Sequence, residues 1–169
     1  MVVCGIDGST NKTGVSIMKD GDLVFRTFID LSKDKDTMRR TRNMLLNICE
    51  VLDQYDIDAV YMEKSMLKNN ISTVQLLANL AGGIMLYCAQ NDIEFVHPLP
   101  SEWRKKIGIK QSKNIKREVL KEEAILAVKR EYGINVNDDI AESILLARSA
   151  FDLPKIEISE DDLEEFSLI

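Results

Sequence analysis

The sequence predicts an α/β fold, a five-stranded mixed sheet flanked by helices on both faces. Three features predict it: three strand-like segments in quick succession at the start, strong turn residues between them, and then alternation of helical and strand periodicity. Residues 2–6 and 14–19 are short apolar runs, and Leu23, Phe25, Thr27 and Ile29 alternate with polar neighbours at the period of a half-buried strand. Lys19, Asp20, Gly21 and Asp22 supply turn chemistry between the second and third strands, so the opening is an antiparallel meander.

A polar stretch from Ser32 to Asp36 leads into Met44, Leu45, Ile48, Val51, Leu52 and Tyr55, whose spacing predicts an amphipathic helix. Residues 58–62 read as a short fourth strand that ends on Glu63. A second helix is expected over residues 70–90, where Asn79 is the only strongly polar side chain between Leu76 and Cys88. A helix apolar all round needs cover on more than one side, either as the centre of one domain or through a second subunit. Gly82 and Gly83 inside it imply close approach of another backbone. Residues 94–97 form the fifth strand, stopped by Pro98 and Pro100. A basic connection follows, then a helix capped by Ser112 and running to about Tyr132, and a last helix starting near Asn137 to Asp139. A strand reached by a helical crossover should lie parallel to its predecessor.

A chain of 169 residues with 45% apolar content suits one domain, expected over residues 1–154, followed by an acidic, mobile tail over 155–169. No apolar run approaches about 18 residues and no basic-then-apolar segment opens the chain, so neither a membrane span nor a signal peptide is expected and the setting is cytoplasmic. Cys4, Cys49 and Cys88 are odd in number and lack C-x-x-C spacing; they read as reduced core residues. The net charge of −6 would oppose a nucleic-acid partner if spread evenly. It is not. Glu157, Glu160, Asp161, Asp162, Glu164 and Glu165 crowd the tail against Lys155 alone. In residues 101–121, Arg104, Lys105, Lys106, Lys110, Lys113, Lys116, Arg117 and Lys121 face only Glu102 and Glu118. A basic patch on a near-neutral body can bind phosphate or can simply be a solvated face.

Four acids fall where elements end: Asp7 after "VVCGI", Glu63 after "AVYM", and Asp139 and Glu142 three apart at the start of the last helix, on one face of it. If the first and fourth strands are neighbours, all four meet at one sheet edge. Converging carboxylates repel and are costly to desolvate unless a cation sits among them, and hard oxygen donors suit Mg2+ or Mn2+. Taken singly, Asp138 and Asp139 are also ordinary acids for a helix N-terminus, and Glu63 an ordinary strand-end residue. Asp138 rivals Asp139 for the inward place. Trp103 reads as a core anchor and His97 as a strand-end histidine rather than a ligand.

The segments "GIDGSTNKTGVSI", "VYMEKSMLKNN" and "DDIAESILLARSAF" together resemble RuvC-type Holliday junction resolvases, within the RNase H and retroviral integrase superfamily, over about residues 2–151. The resemblance implies an RNase H-like sheet and a homodimer, paired through the 70–90 helix. It also implies a Mg2+- or Mn2+-dependent endonuclease, with two ions per site, that nicks opposing strands of four-way DNA junctions. It makes Asp7, Glu63, Asp139 and Glu142 the metal ligands and catalytic residues, and Lys113 the lysine near the scissile phosphate. Arg104, Lys105, Lys106, Lys110, Lys113, Lys116 and Arg117 become the DNA-contacting set. The family commonly ends its last acidic pair on Asp, where Glu142 stands here, and many members carry an aromatic wedge where this chain has Met66, which can still press against unstacked bases. The small size and these departures resemble a phage-encoded version acting in a host cytoplasm.

Two other classes fit parts of the sequence. "GIDGSTNKTG" also resembles the phosphate loop of actin-like and sugar-kinase phosphotransferases, though 169 residues leave no room for the two such domains a nucleotide needs. A non-catalytic junction-binding module would keep the basic patch and use the acids only as caps. The tail, with Leu163, Phe166, Leu168 and Ile169 among its charges, suits a protein partner with a basic groove or a solvated terminus.

Overall fold

The computed structural model describes residues 1–64, 71–109 and 115–158. The meander forms as β1 (Val2–Asp7), β2 (Lys12–Lys19) and β3 (Asp22–Asp30), with Asp20 and Gly21 both at positive φ in the tight turn that a right-twisted hairpin favours. Then come α1 (Thr37–Leu52), β4 (Ala59–Met62), α2 (Ile71–Gln90), β5 (Glu94–Val96), α3 (Pro100–Ile107), α4 (Arg117–Tyr132) and α5 (Asp138–Arg148). The sheet order is β3-β2-β1-β4-β5, antiparallel across β3, β2 and β1 and parallel across β1, β4 and β5. This is an RNase H-like mixed sheet with β1 at its centre.

Strand alternation decides what each face buries. Cys4, Ile6, Val15, Ile17, Val60 and Met62 pack under α1 and α2, against Met44, Ile48, Leu80 and Ile84. Val3, Met18 and Ala59 face the other way, toward Ala147 of α5. On that second face Gly5 and Gly14 let the α5 backbone settle directly on the sheet. A Cβ on Gly5 would stand 2.0 Å from the Ser143 carbonyl oxygen, and one on Gly14 would stand 2.0 Å from that of Asp139. Ser16 and Ser143 share a 2.6 Å hydrogen bond between their hydroxyls along the same seam. Helix α4 covers α5 through Ala124, Ala127 and Val128. The start of α5 is thereby pinned beside the end of β1.

Three expectations need correction. Residues 100–107, expected as part of a basic connection, are helix α3: Pro100 fits a first helical position, Glu102 accepts the Leu99 N–H at 2.7 Å, and Gly108 ends the helix at φ 99°. Helix α4 starts at Arg117 after Lys116, and Ser112 lies outside the described residues. The tail does not begin at 155. Ile156 is buried, its N–H donates to the Ile107 carbonyl at 2.8 Å, and Ile158 packs on the α3–α5 core. Arg148 holds the same strap by donating to the Pro154 carbonyl at 2.7 Å. The rest of the tail, from 159, is outside the described residues.

Among the described residues, helix α2 is covered on one side. Leu80, Ala81, Ile84 and Cys88 are buried, while Ile71, Met85 and Leu86 are exposed. Gly83 accommodates the Leu45 side chain rather than a backbone, and a Cβ on Gly82 would meet nothing within 4 Å. By length and composition α2 could cross a bilayer, although no unbroken apolar run of about 18 residues marks it. Its buried residues close the core over β1, β2 and β4.

Candidate functional site

The ladder brings two of the acids together. β1 and β4 run parallel with Ile6 opposite Met62, so Asp7 and Glu63, the next residues, leave the sheet side by side. Ile6 and Met62 face α1 and α2, so Asp7 points to the opposite face, where α5 begins. The other two acids come from α5, whose N-cap Asn137 accepts the Ile140 N–H at 2.9 Å. Asp7 pairs with Gly14 in the β1–β2 ladder, and Gly14 is the residue on which the Asp139 backbone rests. One glycine thus sets the spacing of two acids 132 positions apart in the chain.

The electrostatics record the convergence. Burial pushes the Asp7 carboxyl well above the usual range, and Glu142, Glu63 and Asp139 push it further, with a side-chain hydrogen bond to Glu142. Glu63 is raised by burial and by Glu142, against a 2.7 Å hydrogen bond from the Trp103 indole N–H and the positive charges of Arg104 and Arg117. Asp139 is raised by burial, Asp138 and Glu142, with Lys121 and Lys12 opposing. Asp138 goes the other way: burial favours its neutral form, but an ion pair with Lys121 holds its carboxyl below the ordinary value. Of the two rivals, Asp139 is the one that acts on Asp7, and Asp138 is occupied by Lys121.

The donor set fits a hard divalent cation, since a buried Asp7 carboxyl raised by three neighbouring carboxylates is relieved by positive charge among them. No three His, Cys, Asp or Glu side chains among the described residues are arranged to hold a metal ion as they stand. Two of the four acids are already engaged, Glu63 by Trp103 and Glu142 by Arg104.

The turn after Asp7 is fastened by its own small polar groups. Thr13 Oγ1 accepts the Ser9 N–H at 3.0 Å and donates to the Ser9 carbonyl at 2.6 Å, and Ser9 Oγ accepts the Asn11 N–H at 3.1 Å. Arg40 of α1 donates to the Thr10 carbonyl at 3.1 Å.

The basic residues divide. Lys105, Lys106, Lys116 and Arg117 are exposed, and Arg117 lies near enough to influence Glu63 and Asp138. Arg104, expected among the outward DNA contacts, is instead 5% exposed and ion-paired with Glu142. Met66, Lys110 and Lys113 lie outside the described residues. Sequence reasoning left out two partners of the site, the Trp103 indole on Glu63 and Lys121 on Asp138. Trp103 is the buried anchor expected of it and a hydrogen-bond donor as well. His97 is exposed just past β5, with its ring against Phe95.

A family model for the crossover junction endodeoxyribonuclease RuvC matches residues 3–147. The chain belongs to the RuvC family. Two curated relatives named RuvC, from Bifidobacterium longum strain DJO10A and from B. longum subsp. infantis, are each 27% identical over 107 residues, 60% of this chain. That stretch is 55% of either relative, so the chain spans about half the length of the curated RuvC proteins it matches. Among solved structures, Thermus thermophilus RuvC in complex with a Holliday junction is similar at TM-score 0.71 and 16% identity, over 88% of this chain and 92% of that one. The Fowlpox virus resolvase in complex with Holliday junction DNA is similar at TM-score 0.59 and 17% identity, over 89% of this chain and 96% of that one. At such identities these two likenesses establish the shared fold.

The raised carboxyls make stability depend on pH. Asp7, Glu63 and Asp139 ionise near pH 4 in the unfolded chain and higher in the fold. Between those values the folded state holds more protons, so their contribution to stability falls as pH rises through the window. Lowered acids such as Asp34 and Asp138 lose their stabilisation only below about pH 4, and His97, lowered by desolvation of the covered part of its ring, works in the opposite direction near pH 6. The cluster's share is therefore read as a difference. With a chelator present, Asp7→Asn should melt at a higher temperature than the parent protein at pH 7, and the gap should shrink toward pH 5.

Proposed function

We propose that this chain is a metal-dependent endonuclease that resolves four-way DNA junctions by nicking two opposing strands, leaving 5′-phosphate ends. The observation that carries the reading is the gathering of Asp7, Glu63, Asp139 and Glu142 from three separate elements into one mutually repelling group at the end of the central strand. Membership of the RuvC family supports it.

In this reading Asp7, Glu63, Asp139 and Glu142 would hold two Mg2+ or Mn2+ ions, which would supply water activation and neutralise charge on the leaving oxygen of the phosphodiester. The chain's own residues do the rest. The β1–β4 ladder fixes Asp7 beside Glu63, and the Gly14 contact fixes Asp139 against Asp7. Trp103 orients the Glu63 carboxylate through its indole N–H, and Lys121 keeps Asp138 out of the group. Lys105, Lys106, Lys110, Lys116 and Arg117 position the phosphate backbone. Lys113 offsets charge that builds on the phosphate in the transition state. Met66 presses against bases at the branch point.

Two linked sites suit a two-fold junction, and the proposed homodimer forms through α2. The uncovered face bearing Ile71, Met85 and Leu86, with open space over Gly82, supports that pairing. The acidic tail from 159 is assigned to a protein partner with a basic groove.

The test is incubation with a synthetic four-way junction, a fork and a linear duplex, each with Mg2+, Mn2+ or a chelator. Paired nicks on the junction alone, lost with the chelator, are expected. Tight junction binding indifferent to the metal, with no nicked strand, would identify a non-catalytic binding module instead.

A further inference from the structure

Helix α3 sends two neighbouring side chains into the carboxylate group. Trp103 reaches Glu63, and Arg104 reaches Glu142. Burying a guanidinium is costly, and the cost is normally offset by satisfying its donors on several acceptors. Arg104 is only 5% exposed, stacked at 4.6 Å over the Trp103 ring, and Glu142 takes just one of its nitrogens. Nε and Nη1 are buried without a hydrogen-bond partner. Glu102 on the same helix is engaged by the Leu99 N–H. The position is held by α3 itself, whose end is tied to the body where the Ile107 carbonyl accepts the Ile156 N–H.

A buried cation with unused donors, set on one member of a group that needs positive charge, has a specific consequence. We propose that Arg104 is the resident counter-cation of the carboxylate cluster: it holds Glu142 while no divalent ion is bound and must release it for the ion to load. This rests on the metal-site reading above and adds that loading is an exchange of one cation for another. The exchange accounts for how four converging acids fold before metal arrives. It also opposes a purely supporting role, in which Arg104 would orient Glu142 for the metal and its loss would weaken binding.

The sign of the effect separates the two roles. Removing the competing charge in Arg104→Gln should tighten Mn2+ binding to the DNA-free protein by about tenfold or more, measured by calorimetry; unchanged or weaker affinity would overturn the proposal. A second measurement uses the native side chain. In protein labelled with 15N-arginine, the Arg104 Nε–Hε resonance, assigned by its loss in Arg104→Lys, should shift as Mg2+ alone is titrated and stay fixed in Asp7→Asn. A resonance that does not move while calorimetry shows Mg2+ binding would overturn the exchange and leave the metal site standing. Absence of any binding heat would overturn both.

Discussion

Asp7→Asn should reduce nicking of a four-way junction by about a thousandfold or more, some 4 kcal/mol of transition-state stabilisation, while a gel shift with the same junction changes little. Asp7 ends the central strand and is the acid on which Glu142, Glu63 and Asp139 all act. The substitution removes a full negative charge and one oxygen donor, yet keeps the size of the side chain. It leaves the exposed Lys105, Lys106, Lys116 and Arg117 untouched, and phosphate contacts dominate affinity for DNA. Cleavage and binding therefore separate. Full cleavage by Asp7→Asn would remove the assigned role from Asp7.

Gly14→Ala should be strongly damaging. Its Cβ would fall 2.0 Å from the Asp139 carbonyl oxygen, 2.4 Å from the carbon and 2.8 Å from the Ile140 nitrogen, all of them backbone atoms that cannot rotate away. The start of α5 would have to lift from the sheet, at a cost of about 3 kcal/mol, the upper end of the range for overpacking. Because Gly14 is also the ladder partner of Asp7, the shift moves Asp139 relative to Asp7 and should lower nicking by more than the loss of stability alone explains. A urea melt alongside a nicking assay at a temperature where the variant is fully folded checks both effects.

Much of this was readable in the sequence because it depends on local period and on where periods stop. Strands β1 to β3 announce themselves by apolar runs and alternation, and Asp7 stands out because a charge ends a buried strand. What was not readable depends on tertiary approach. The pairing of Lys121 with Asp138 and of Arg104 with Glu142 joins α5 to helices 17 and 38 residues earlier, and nothing in a charge run ranks which cation turns inward. Helix α3 is a different case. Pro100, Glu102 and Gly108 are ordinary start and stop signals, but the consecutive Arg104, Lys105 and Lys106 draw the eye to a solvated connection. The strap over 155–158 carries only Ile156 and Ile158 as apolar anchors among charges, too few to mark a packed segment by composition. For α2 the sequence left two readings open, the centre of one domain or a helix shared with a second subunit, because apolar composition cannot say how many neighbours a helix has.

The central claim is that acids from β1, the end of β4 and the start of α5 form one cation-holding group. Its most direct test is a crystal of the protein soaked in Mn2+ and measured at the manganese absorption edge. Anomalous peaks within coordination distance of Asp7, Glu63, Asp139 and Glu142, at the end of the central strand, are the expected result. Ions found only elsewhere on the surface at saturating Mn2+, with those four side chains unmoved, would contradict it.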